Sequence, residues 1–352
     1  MSADSLGREF GTTIMRDVES VIRDCRVWLE ELRGKRILVT GASGFVGGAV
    51  ARVLAAYSEA DDGGGFELVL ATRSPAEMAS RPETDWLSRR ARWIGWDTLE
   101  ADSRLVFDHV IHAASPNATK EFKHEPERCV ADVASYMNRV LTVVKRNESG
   151  RLLYVSSGAV YGERNPLDGP YREDDEIPDD ATVHRGPYGR AKRAVEVACG
   201  SAGINYVVAR IFAVMGPSVA LDSGFALTDF IWQAAFDRRI RIRGDGMTKR
   251  GYCYESDLAA SLLGLLVEGR SGQAYNVAGP AADTRICELA ECVAGEFGDI
   301  PVDILGEADS AGTAGRYYVP VVDKLGTIYN PRVGLTQGVA KTIAGMRERG
   351  LL

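Results

Sequence analysis

Tyr188 and Lys192 stand four residues apart in Pro187-Tyr188-Gly189-Arg190-Ala191-Lys192, which opens a strongly helical stretch. Residues at i and i+4 share one helix face, so a phenol and an ammonium are expected side by side. A cation there favours the phenolate and draws a pKa near 10 toward the range of a working acid or base. Earlier in the chain, Ser156-Ser157-Gly158-Ala159-Val160-Tyr161-Gly162 closes an apolar run. A serine hydroxyl at such a strand end can hydrogen-bond a substrate oxygen that is being oxidised or reduced. A Tyr-x-x-x-Lys pair is common by chance, so its meaning depends on its company.

That company is a glycine-rich turn. The β-branched run Arg36–Thr40 leads into Gly41-Ala42-Ser43-Gly44-Phe45-Val46-Gly47, and helical periodicity follows through Tyr57. Glycines allow the sharp turn and close approach that a pyrophosphate needs, and the next helix offers free N–H groups and a positive dipole end. Gly41, Ser43, Gly44, Phe45, Val46 and Gly47 are therefore expected to seat a dinucleotide. The second strand ends in Thr72-Arg73-Ser74, without the carboxylate that commonly holds the ribose hydroxyls of NAD. Arg73 suits a 2′-phosphate, which favours NADP(H). Arg73 stacked on the adenine of NAD(H), or turned to solvent, is the other reading.

These residues need a scaffold of alternating strands and helices. Runs at Arg36–Thr40, Phe66–Thr72, Arg92–Trp96, His109–His112, Leu152–Ser156 and Tyr206–Arg210 read as strands separated by helical segments. Such alternation predicts parallel pairing through right-handed crossovers, an α/β Rossmann-type doubly wound sheet. After Pro217 it loosens into a smaller C-terminal, substrate-binding lobe. The expected division is a helical extension over 1–34, a nucleotide-binding domain over 35–216, and a lobe over 217–352 with some return to the core. In the extension, Ile14, Val18, Val21, Cys25, Trp28 and Leu32 share one face and predict an amphipathic helix lying on the body. The acidic run over 172–180 reads as a solvated loop.

Composition removes other classes. The 352 residues are 45% hydrophobic and 26% charged, with a formal net charge of −7. An acidic chain with no basic run lacks the footprint of a nucleic-acid or anionic-membrane binder, and no apolar run approaches a membrane span. Six scattered cysteines without a CxxC read as reduced thiols of a cytoplasmic protein. His109 and His112, three apart on a strand, face opposite sides and do not make a metal pair.

Taken together, about Lys35 to Pro331 resembles the extended short-chain dehydrogenase/reductase family, in its nucleotide-sugar epimerase, dehydratase and ketoreductase branch. The resemblance puts Ser157, Tyr188 and Lys192 on the catalytic positions. It puts Asp97, in Trp96-Asp97, on an adenine-contacting acid, and Ala113, Ala114 and Ser115 on the nicotinamide side. Gly244-Asp245-Gly246 with Arg250 and Asp257 resembles the segment whose arginine meets the sugar-nucleotide diphosphate, and Gly158 would line the substrate. An ion pair between Arg250 and Asp257 is the structural alternative. The family's dimers pair the helices near Val130–Val144 and Tyr188–Gly200 with their symmetry mates, so a homodimer is implied.

Departures from the family pattern narrow the chemistry. Its 4,6-dehydratases carry Asp and Glu immediately after the catalytic Thr, and its decarboxylases carry Glu at the second position. Here those positions are Gly158 and Ala159, which have no proton to give. Ala213 and Gly251 likewise replace polar residues that usually lie near the substrate. The remaining readings are an NADPH-dependent reductase of a 4-keto nucleotide sugar, a 4-epimerase that retains NAD, and a non-catalytic nucleotide-binding regulator.

Overall fold

The computed structural model describes residues 11–60, 65–81, 84–116, 119, 121–162, 168–177, 186–306 and 317–352. Positions 178–180 of the acidic run lie outside them. The helices that matter for the site are α1 (Thr12–Asp24), α2 (Arg26–Glu31), α3 (Phe45–Ala60), α4 (Pro126–Val144), α5 (Gly186–Ser201), α6 (Glu255–Glu268) and α7 (Leu335–Glu348).

Seven parallel strands form the main sheet: β1 (Arg36–Thr40), β2 (Glu67–Thr72), β3 (Arg92–Gly95), β4 (His109–His112), β5 (Arg151–Ser157), β6 (Asn205–Ile211) and β10 (Gln273–Val277). Their order is β3-β2-β1-β4-β5-β6-β10. The order reverses between β1 and β4, and a crevice opens there at the carboxyl ends of the strands. Both faces are buried, so the strands read as continuous apolar runs. Ile37 and Val39 enter the core under α3 and α6. Leu38 and Val110 enter the core under α4 and α5. This is the doubly wound architecture that the alternation predicts. The seventh strand was not among the predicted six: β10 comes from the later part of the chain and carries a buried polar residue, Asn276, amid its apolar ones.

The smaller part centres on β9 (Lys249–Tyr254). It pairs in parallel with β7 (Ala213–Met215) and β13 (Tyr317–Tyr318) and antiparallel with β11 (Ala281–Arg285). A separate pair joins β8 (Ile240–Ile242) to β12 (Val302–Ile304).

At the N-terminus the predicted amphipathic helix is present as two. The helical backbone breaks at Cys25, and the apolar face continues across the break. Ile14, Val18, Val21, Cys25, Trp28 and Leu32 are all buried. The Trp28 indole donates to Glu268 of α6, and Glu348 of α7 accepts from the Thr13 amide at 2.8 Å. Among the described residues no helix is long and apolar enough to cross a membrane.

Candidate active site

The glycine turn follows β1 directly. Gly41 has φ +74°, and a Cβ there would meet the backbone of Ala113 and Ala114 at 2.7–2.9 Å. Only glycine lets this turn lie against the segment after β4. A Cβ on Gly47 would strike the Gly41 backbone, so α3 starts tight against the turn. Phe45 and Val46 pack on the core beneath, while Ser43 and Gly44 face outward.

Between the turn and β4 lies an open crevice with about 610 Å³ between its walls. Gly41, Ser43, Gly44, Thr72, Arg73, Trp96, Ala113, Ala114, Ser115 and Tyr136 line it, with Glu121 at one side. Trp96 stacks on Tyr136 with ring centres 5.2 Å apart, and the Arg73 guanidinium hydrogen-bonds the Tyr136 hydroxyl. The Ser115 hydroxyl is buried in the wall with no partner. A close-approach glycine turn, a helix start, an aromatic pair and an unsatisfied hydroxyl fit a dinucleotide. Asp97 is not part of this wall. Its side chain is 98% exposed and pairs with Arg139 of α4 at 2.9 Å. The helix over Trp96–Ala101 turns Trp96 inward and its neighbour outward.

Thr40 ties the crevice together. Its hydroxyl accepts from the Ala114 amide at 3.2 Å and lies 2.8 Å from His112 Nδ1. Burial holds His112 neutral, its pKa pushed down to about 3, and His109 similarly to about 4.

Ser157, Tyr188 and Lys192 converge at the ends of β5 and α5. The Ser157 hydroxyl accepts from the Ala159 amide at 3.2 Å and hydrogen-bonds Tyr188. Lys192 donates to the Val155 carbonyl at 3.0 Å, with its ammonium 5.7 Å from the Tyr188 ring centre. The net shift of the phenol runs opposite to the sequence expectation. Burial raises Tyr188 above the ordinary tyrosine value, Tyr318 adds to the rise, and Ser157 opposes it. Burial pushes Lys192 down to about 8, with Glu196 opposing.

Several site residues have no local signal in the sequence. Tyr318, from β13, reaches within 3.3 Å of the Ser157 hydroxyl. Phe212 fills the space beside Gly158, where a Cβ would lie 2.6 Å from its ring. That ring is itself fixed against Tyr318, Tyr171 and Tyr161. Each comes from a distant stretch of chain and joins the site only through folding.

Arg250 lies on β9 in register with Tyr318 and Thr284. Register partners project from one face of a sheet, so Arg250 shares its face with the tyrosine that reaches Ser157. Its Nε is buried without a partner. The alternative ion pair does not form: Asp257 accepts from the Tyr329 hydroxyl and from the amides of Arg332 and Val333.

A sequence profile described as the NAD dependent epimerase/dehydratase family matches residues 37–278. Among curated proteins, UDP-glucuronic acid decarboxylase 1 of Arabidopsis thaliana is 27% identical over 320 residues, 89% of this chain and 70% of that protein. Among solved structures, UDP-glucose 4-epimerase of Thermotoga maritima, with UDP-glucose, superposes with a TM-score of 0.73 at 22% identity. The match covers 90% of this chain and all of that one (100%). RMD from Pseudomonas aeruginosa, complexed with NADPH, superposes at 0.66 and 24% identity, covering 90% and 99%. At these identities the superpositions speak for the fold.

Proposed function

The chain belongs to the NAD dependent epimerase/dehydratase family, and from that premise we propose an NADP(H)-dependent oxidoreductase of a nucleotide-activated sugar, which reduces a 4-keto group to the alcohol. The observation that carries this reading is the packing at Gly158. Elimination of the family's usual kind asks for carboxyl groups at both positions after Ser157, and decarboxylation for one at the second. Position 158 is pressed by the Phe212 ring, and position 159 is a buried alanine. The proton chemistry is thereby left to hydroxyl groups, which suits a plain hydride transfer.

The chemistry that a nicotinamide cofactor held by this crevice would supply is the hydride. Ser157 holds the ketone oxygen, and Tyr188, kept protonated by burial, gives that oxygen its proton and is refilled from water. Lys192 meets the cofactor ribose and supports the phenolate left behind. Arg73 takes the 2′-phosphate at the adenosine end. Arg250, with its unpaired Nε, takes the sugar-nucleotide diphosphate, for which a guanidinium fork is well shaped.

The experiment is a comparison of cofactors. Arg73→Ala should weaken NADPH much more than NADH, by about 1.5–3 kcal/mol or roughly 10- to 150-fold in Kd. Equal losses for both cofactors, or NAD tightly retained in the purified protein, would overturn the NADPH reading and favour the 4-epimerase.

A further inference from the structure

The order of the strands gives the crevice two distinct ends. β4 and β5 lie on one side of β1, with Ser157 at the tip of β5, and β2 and β3 lie on the other. Since Ser157, Tyr188 and Lys192 stand on the β5 side, the far side over the ends of β2 and β3 is the adenosine end of a dinucleotide. Thr72 and Arg73 line it from the end of β2, Trp96 from the end of β3, and Tyr136 from α4. The Trp96 and Tyr136 rings lie 10° from parallel, and both pack on the core beneath α4. They make a flat, rigid wall on which a base can stack. Stacking of this kind accepts any base, because every base has a π-face.

Telling adenine from other bases asks for more. Its exocyclic amino group is distinguished from a carbonyl by a group that accepts a hydrogen bond and cannot donate one. The side chains at this end do not include such a group. Thr72 and Tyr136 carry hydroxyls, which do either, and the Arg73 guanidinium only donates. Asp97 follows Trp96 directly, yet its carboxylate is turned to solvent and accepts from Arg139 at 2.9 Å. Glu121 is the one carboxylate among the lining residues. It enters from the segment after β4 and lies 3.6 Å from Arg128.

We propose that this crevice holds the adenine by stacking on the Trp96–Tyr136 pair and leaves its amino group unread, so that a cofactor carrying hypoxanthine binds as well as one carrying adenine. The proposal rests on the reading that the crevice seats a nicotinamide dinucleotide. The probes are NADPH, NADH and the hypoxanthine analogue of each, whose base has a carbonyl in place of the amino group. Their Kd values are read from nicotinamide fluorescence. Within each pair the two affinities should agree to about fivefold, less than the worth of one discriminating hydrogen bond. Asp97→Ala should change none of them, since Arg139 keeps Glu100 at 3.3 Å. Trp96→Leu should weaken all of them by roughly tenfold. Tyr136→Leu, at the half-buried partner, is the companion variant should Trp96→Leu not fold. Its loss should be equal for NADPH and NADH, which separates lost stacking from a change at Arg73. A preference for adenine beyond about fivefold in the wild type would overturn the proposal, whether Asp97→Ala or Glu121→Gln then abolished it. Unchanged affinities in the folded ring variants, or a Tyr136→Leu loss confined to NADPH, would overturn it too and leave the dinucleotide reading standing. A wild type that binds none of the probes would instead overturn that reading and the proposal with it.

Discussion

Burial keeps the Tyr188 phenol protonated through the neutral range, and a phenol in that state is ready to donate in the reductive direction. Tyr188→Phe removes one oxygen and leaves the ring against Phe122, 5.1 Å between centres. The variant should melt with the wild type and bind NADPH normally, while turnover of the accepted nucleotide sugar falls roughly 100- to 10,000-fold. Turnover within about threefold of wild type, against that range, would remove Tyr188 from proton transfer. At this scale the sequence speaks through spacing. Tyr188, Lys192 and the glycine turn are legible because each is a local pattern with its own physical requirement. Tyr318 and Phe212 are not, because what they do depends on neighbours far away in the chain. Asp97 shows the converse. Its position follows the family pattern, and a short helix turns its side chain to solvent.

Among the elements, strands of the central sheet are legible because burial on both faces makes them unbroken β-branched runs. The two-helix N-terminal segment is less so, since an apolar face carries straight through the break at Cys25. The end of β4 has a measurable consequence. His112 and His109 have folded pKa values of about 3 and about 4, below the ordinary 6.5. As pH falls below 6.5 the unfolded chain takes up protons that the folded chain refuses, so stability drops toward pH 4. Above pH 7 both rings are neutral in either state and add no pH dependence. Each histidine contributes a slope of about 1.4 kcal/mol per pH unit. His112→Asn keeps a hydrogen-bonding side chain beside the Thr40 hydroxyl and removes one titrating group. Urea melts at pH 7, 6 and 5 should show the acid loss reduced by roughly that slope. An unchanged slope would mean that His112 already carries its proton when folded.

For the whole molecule, α4 and α5 lie side by side and leave small and apolar residues on their outer side. Val130 is 37% and Val197 50% exposed, and Ala131, Ala134 and Ala194 are exposed with them. We expect a C2 homodimer in which this face meets its own copy. Light scattering at micromolar concentration should report twice the 38.1 kDa of one chain, and Val197→Glu should halve it. A wild-type protein of single-chain mass would contradict the dimer. The return of β10 to the sheet edge belongs to the same scale. It sets Asn276 against Tyr161 and the loop carbonyl of Tyr171, so the main sheet and the catalytic turn depend on chain well beyond Pro217. The sequence reading expects some return of the 217–352 stretch to the core but does not single out Gln273–Val277 as the strand that makes it.

The pressed contact between Gly158 and Phe212 also limits where this protein's descendants can go. Gaining an acid at 158 is not open to a single codon change, because the incoming side chain meets a ring wedged among three tyrosines. Phe212 would have to shrink first, and that genotype bears a cavity costing about 3–5 kcal/mol, on the scale of a truncated buried aromatic, before any new activity repays selection. The two steps are separated by a fitness valley, and a laboratory lineage seeking elimination chemistry should cross it in that order, from a stabilised starting sequence.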